Sequence, residues 1–221
     1  MTLSAAPSVP TAPIKTRERI LLVSLALFNA QGEPNVTTNH IADEMEISPG
    51  NLYYHFRNKD QIIYELFERF EKRMDETLVL PGERRPDMED MWLYLHLVFE
   101  TIWEYRFLYR DLVDLLSRNK KLKTHFSRLV ERKAEMARSI CRALTQEGAM
   151  HASEQELNAV ASNIALVTTF WLSFHAVKQR SGTLDSQALA QGIYQVLSLV
   201  SGYLEPDGRE HLQVLARAYL S

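Results

Sequence analysis

Residues 48–55 read Ser48-Pro49-Gly50-Asn51-Leu52-Tyr53-Tyr54-His55, a run rich in short or hydrogen-bonding side chains and poor in aliphatic ones. Asn51, Tyr54 and His55 can hydrogen-bond base edges or phosphate oxygens. Gly50 removes side-chain bulk where a helix start would approach a phosphate, and the free N–H groups there favour an anion. Leu52 and Phe56, four apart, supply one buried seam. Three consecutive helical residues, Tyr53, Tyr54 and His55, cannot all face it, so part of the run points outward. That chemistry is recognition of a nucleic acid, not turnover. The sequence holds no Gly-rich phosphate loop, no Ser or Cys nucleophile in a recognised setting and no paired carboxylates on an identifiable cleft. No catalytic residue is assigned and an enzyme is not expected. The lone cysteine, Cys141, excludes an internal disulfide and a cysteine-based zinc site, and reads as a small buried residue. His96 and His175 lack companions at ligand spacing, so neither a metal nor another cofactor is expected.

The elements around this run must hold it outward. Ile20, Leu21, Leu27 and Phe28, with Ser24 between them, mark one face of a first helix that Thr16 can cap. Gly32 suits a positive φ after its end, and Pro34 prevents its continuation. Thr37 caps a short helix through Glu44, with Ile41, Ala42 and Met45 inward; Ser48 and Pro49 cap and open the next. Two short helices joined by a tight turn, behind a longer bracing helix, form the pattern of a helix-turn-helix. Asn58 and Gln61 then begin a long amphipathic helix bearing Ile62, Ile63, Leu66, Phe67, Phe70 and Met74.

Pro81, Gly82 and Pro86 lie in a charged stretch that marks a boundary or hinge. Helical spacing continues through Met91 to Trp103, Leu108 to Leu116 and Leu129 to Leu144. Ser153 and Glu156 form a capping box that opens a helix to about residue 179. Another runs from Asp185 to about Tyr203, and a last short one from Asp207 to Leu220. No stretch alternates as a strand does, so the fold class is all-α. The apolar run 164–174 is too short to span a membrane, and no membrane partner is expected. The first 13 residues read as a disordered tail without a secretory signal.

The segments Thr16-Arg17-Glu18-Arg19-Ile20-Leu21, Leu27-Phe28, Thr37-Thr38-Asn39-His40-Ile41-Ala42 and Ile47 through Phe56, followed by Lys59, resemble the signature of the TetR family of bacterial regulators. The resemblance covers residues 15–74. It implies that Thr38, Ser48, Pro49, Gly50, Asn51, Tyr53, Tyr54, His55 and Lys59 face DNA, with Lys59 on a phosphate; Arg17 and Thr37 join them as candidates. The family usually has glycine in the turn where this chain has Glu46, and a positive φ there would cost roughly 1 kcal/mol. The net charge of −3 means that binding depends on where charges point, not on a basic domain.

The same resemblance implies an N-terminal three-helix helix-turn-helix DNA-binding domain at 14–60, a connecting helix at 61–80, and a C-terminal helical bundle for effector binding and dimerisation at 81–221. The partners it implies are a double-stranded DNA operator, a second copy of the chain as homodimer, and an unidentified small-molecule effector, in the cytoplasm. The function expected is that of a repressor released from a palindromic operator; the alternative is a constitutive architectural DNA-binding protein without an effector. Trp92, His96, Trp103, Phe107, Phe170, Trp171, Phe174 and His175 are the candidate effector-pocket residues. Ala159, Ser162, Ala165, Val167, Thr168, Leu172, Leu189, Ile193, Val196, Leu197 and Val200 offer surplus apolar surface for a dimer contact.

Overall fold

The computed structural model describes residues 15–80, 82, 84–178, 186–217 and 219. The expected tail at 1–13, Pro81 in the boundary stretch, the helix ends placed at 179 and 185, and Leu220 lie outside them.

Helix α1 (Thr16–Gln31) starts at Thr16 itself; Lys15 holds the cap position and makes no side-chain capping bond, so Thr16 is not the cap. Gly32 ends the helix at φ 92°, a backbone conformation that calls for glycine, and a Cβ there would stand 2.9 Å from Arg110 Nη2 and displace that guanidinium. A 3-10 turn at Glu33–Asn35 leads into α2 (Thr38–Glu44). Thr37 Oγ1 accepts the His40 N–H at 3.2 Å, and His40 Nδ1 accepts the Thr37 N–H at 3.4 Å. Ser48 Oγ likewise accepts the Asn51 N–H at 3.2 Å, with Pro49 in the first position of α3 (Pro49–His55). At α4 (Lys59–Thr77), Asn58 Oδ1 accepts the Gln61 N–H, while Gln61 Oε1 accepts the Arg57 N–H, one residue ahead of the position a capping box would use.

The rest of the described chain is α5 (Met88–Glu104), α6 (Arg106–Arg110), α7 (Leu112–Arg118), α8 (Lys120–Gln146), α9 (Glu154–Lys178), α10 (Ser186–Ser201) and α11 (Pro206–Arg217). Among the described residues there is no strand, only an isolated bridge between Met150 and Leu204 that ties two loops together. The apolar residues from Leu108 to Leu116 belong to two short helices, because the chain breaks at Asp111.

Two apolar cores result. One joins α1–α4 to α6, α7 and the near halves of α5 and α8, with Phe28 against Phe107 at 5.2 Å. The other lies among the far half of α5, the end of α8, and α9–α11. Gly192 lets α10 close on this second core: a Cβ would meet Phe99 at 2.5 Å and Trp171 at 2.6 Å. By length and composition α9 is apolar enough to cross a membrane, which the shorter run 164–174 did not suggest. Here it is a bundle helix, with Leu157, Val160, Ala161, Ile164, Ala165 and Leu172 buried between α8 and α10.

Of the residues expected to offer apolar surplus, only part is exposed. Ala165, Thr168, Leu172, Ile193, Val196, Leu197 and Val200 are buried within the chain. Ala159, Ser162, Leu166, Phe170, Phe174 and Val177 instead form an exposed stripe along α9. The outward positions of α10, Gln187, Gln191, Gln195 and Ser198, are polar.

Glu46 has φ 55° in the turn between α2 and α3, the strain that its place in the sequence implies. Its side chain is exposed. Glu46→Gly is expected to stabilise the protein by roughly 1 kcal/mol, a rise of about 2–4 °C in the thermal midpoint measured by circular dichroism. An unchanged midpoint would mean that the turn is not strained.

Candidate nucleic-acid interface

Leu52 and Phe56 turn inward and leave Ser48, Pro49, Gly50, Asn51, Tyr53 and Tyr54 on the solvent side of α3. Tyr54 is 85% exposed, a large aromatic surface left in water by a chain that exposes few of its others. The His55 ring sits edge-on to it at 5.1 Å and is half-buried. Tyr53 reaches back to α2, its hydroxyl 3.0 Å from Thr38 Oγ1, which brings Thr38 onto the same face. Thr37 is exposed, but its hydroxyl oxygen is occupied by the α2 cap.

Two expected phosphate contacts are engaged inside the protein. Lys59 Nζ lies 2.7 Å from Glu33 Oε1 and donates to the Glu33 and Val36 carbonyls, both at 2.9 Å, so its ammonium clamps the turn after α1. Arg17 pairs with Glu65 of α4 and stacks 4.6 Å above the Phe56 ring. Lys15, Arg19 and Arg57 are exposed and form no ion pair among the described residues. Of these, Arg57 lies just past α3. Its place in the sequence directly after Phe56, the last residue of the buried seam, marks it. Asp43, Glu44 and Glu46 are exposed nearby and restrict an anion to the α3 side.

The C-terminal aromatic residues do not converge on one cavity. Trp92 stacks on His96 at 5.7 Å, and His96 Nδ1 lies 3.2 Å from the Tyr219 hydroxyl. Trp103 lies under the Arg106 guanidinium, and Phe107 packs on Phe28. Phe170 and Phe174 face solvent, while Trp171 donates to the Ala188 carbonyl and flanks the buried His175. No cluster of three metal-ligating side chains occurs among the described residues.

A narrow apolar cavity of about 40 Å³ lies instead between the end of α4 and helices α5, α8 and α9. Leu78, Met91, Tyr94, Leu95, Val98, Met136, Ala137, Ile140, Cys141, Ile164 and Thr168 line it, together with one charged residue, Lys133. Lys133 is 4% exposed; its Nζ donates to Thr169 Oγ1 at 2.8 Å and stands 5.5 Å from the Tyr109 ring. No carboxylate among the described residues pairs with it. Its signal in the sequence is its place in the seam of α8, four residues after Leu129 and four before Ala137, where an apolar residue belongs. Burial also pushes the Cys141 thiol up to about 11.

Burial pulls the Lys133 ammonium from 10.5 down to about 7. Between those values the unfolded chain holds a proton that the folded chain has given up, so stability from this group rises with pH across the window; below about pH 7 its full cost is present. Lys133→Met should raise the thermal midpoint by roughly 5 °C or more at pH 6.5, and the gain should shrink toward pH 10. A gain independent of pH would show that the ammonium is not desolvated.

A family profile described as bacterial regulatory proteins, tetR family, matches residues 20–66, and one described as bacterial transcriptional repressor, TetR, matches residues 69–212. The chain is 43% identical to a TetR-family transcriptional regulator of Marinobacter aquaeolei VT8, whose crystal structure superposes with a TM-score of 0.84 over 93% of this chain and 99% of that one. It is 32% identical over 87 residues to the HTH-type transcriptional repressor KstR2 of Mycolicibacterium smegmatis, covering 36% of this chain and 42% of that protein. With the HTH-type transcriptional regulator AcrR of Shigella flexneri it shares 28% over 97 residues, 42% of this chain and 44% of that protein. The chain thus aligns with less than half the length of these curated relatives. The two profiles together take in the helix-turn-helix and most of the bundle behind it, and the chain belongs to the TetR family of bacterial transcriptional regulators.

Proposed function

We propose that the protein is a homodimeric, cytoplasmic repressor that reads a two-fold operator with α3 and lets go when a small molecule fills the cavity at the end of α4. The observation that carries this reading is the span of α4. Its first residue, Lys59, is clamped to the turn beside the helix-turn-helix, and Leu78, just past its last turn, lines the cavity. Nineteen residues of helix separate the two by about 28 Å. A ligand that displaces Leu78 has a rigid lever acting on the DNA-reading end. The architectural reading without an effector gives this cavity no use and is the less favoured.

Dimerisation is assigned to the α9 stripe. Leu166, Phe170, Phe174 and Val177 recur at helical spacing, and Val177 is 89% exposed. Pairing across a two-fold axis would bury these residues and set the separation of the α3 helices near the 34–36 Å between successive major grooves. Asn51, Tyr54 and Thr38 are assigned to base edges or their flanks, and Arg57 to a phosphate. Lys59 and Arg17 are assigned to holding α3 in place.

Selection from random duplex DNA is expected to enrich an inverted repeat. On that site Asn51→Ala and Tyr54→Ala should each weaken binding by roughly 1–3 kcal/mol. Full affinity in both variants would remove α3 from base reading. Phe170→Glu combined with Phe174→Glu should convert the dimer to a monomer in sedimentation equilibrium and abolish binding to the repeat; a dimer that persists would place the interface elsewhere.

A further inference from the structure

The cavity wall is almost wholly apolar, and the one basic side chain in it, Lys133, has no counter-ion among the described residues. Thr169 is its only hydrogen-bond partner among them, which uses one of the protons of the Nζ group and leaves the others unassigned. The titratable neighbours offer no anion. Tyr109 of α6 and Tyr94 of α5 are both held neutral above the ordinary phenol range by burial, and the Cys141 thiol is raised likewise. Asp75 of α4, outside the cavity, is paired with Arg132.

The cavity also has a way in. Leu78, Tyr94 and Met136 are half-buried, whereas Lys133, Ile164 and Thr168 are buried. Leu78 and Met136 also line an open hollow of about 190 Å³ on the protein surface. At about 40 Å³ the cavity is contracted, but Met91 and Met136 in its wall have the torsional freedom to widen it.

We infer that this cavity binds an anionic amphiphile, a monocarboxylic acid whose head pairs with Lys133 Nζ and whose hydrocarbon body lies along the apolar wall toward Leu78; the inference rests on the effector reading above. A neutral hydrocarbon brings no counter-ion to the amine, and a cation would carry a second unpaired charge into an apolar wall. The acid supplies the missing counter-ion in a low-dielectric site, where a charge-assisted bond is strong. Its arrival also favours the protonated amine, so binding above neutral pH draws a proton from solution onto Lys133.

The test uses the full-length protein and three probes of one chain length, octanoate, octan-1-ol and octylamine, in titration calorimetry at pH 8. The wild type should bind octanoate at least tenfold more tightly than octan-1-ol, bind no octylamine, and take up close to one proton per octanoate, read from buffers of different ionisation enthalpy. Lys133→Met should lose the preference for the acid and the proton uptake while still binding octan-1-ol; Lys133→Gln is a second variant should the first fail to fold. Equal binding of octanoate and octan-1-ol by the wild type, or an undiminished preference in both variants, overturns the anchoring role and leaves the cavity standing as a ligand site. No binding of any probe overturns the inference and the cavity as a site for an apolar effector.

Discussion

Glu33 has no exposed surface, and a carboxylate removed from water is tolerated only where cations reach it. Lys59 at the first position of α4 reaches one oxygen at 2.7 Å, and Arg118 at the end of α7 reaches the other at 2.7 Å. The Glu33 N–H donates to Asp111 between α6 and α7 at 2.9 Å. Such a cluster gains little net energy, because desolvation cancels most of the attraction. What it supplies is geometry. The turn after α1, the start of α4 and the α6–α7 corner must meet at one point, and the angle at which α2 and α3 are presented follows from that meeting.

Much of this was legible because short-range rules governed it. The caps at Thr37, Ser48 and Asn58, the proline opening α3, and the strained turn at Glu46 each depend on residues within a few positions. The exposed run on α3 followed from the same local logic. What the sequence could not reveal depended on distant partners. Lys59 has the residue type and place of a phosphate ligand, yet a carboxylate 26 positions earlier claims it. Arg17 is claimed by Glu65 in the same manner. The aromatic candidates do not gather around one cavity for a related reason: helical spacing says which side chains share a face, but not which face encloses a void. Phe170 and Phe174 share a stripe that points to solvent.

Lys133 is a conflict between local pattern and buried position, in a seam otherwise continuous from Leu129 through Ala137 and Ile140 to Leu144. Natural sequences break their own patterning mainly where function requires it. The cost is borne where the two cores meet: Lys133 lies over Tyr109, which packs in the core shared with α1–α4, and beside Ala137 and Ile140 of the other core.

The core around Phe28 ignores the boundary that the charged stretch after α4 suggests. Phe28 packs on Phe107, Asn29 bonds both Glu104 and Phe107, and Arg110 reaches the Phe28 carbonyl across Gly32. The reading head is therefore not a portable module. Grafting residues 15–60 onto the bundle of another regulator would strip Glu33 of Arg118 and bare Phe28, unless the recipient presented an equivalent aromatic, arginine and aspartate at its own corner. Substitutions on the exposed side of α3 leave the α6–α7 corner intact, whereas transplanting the whole segment does not.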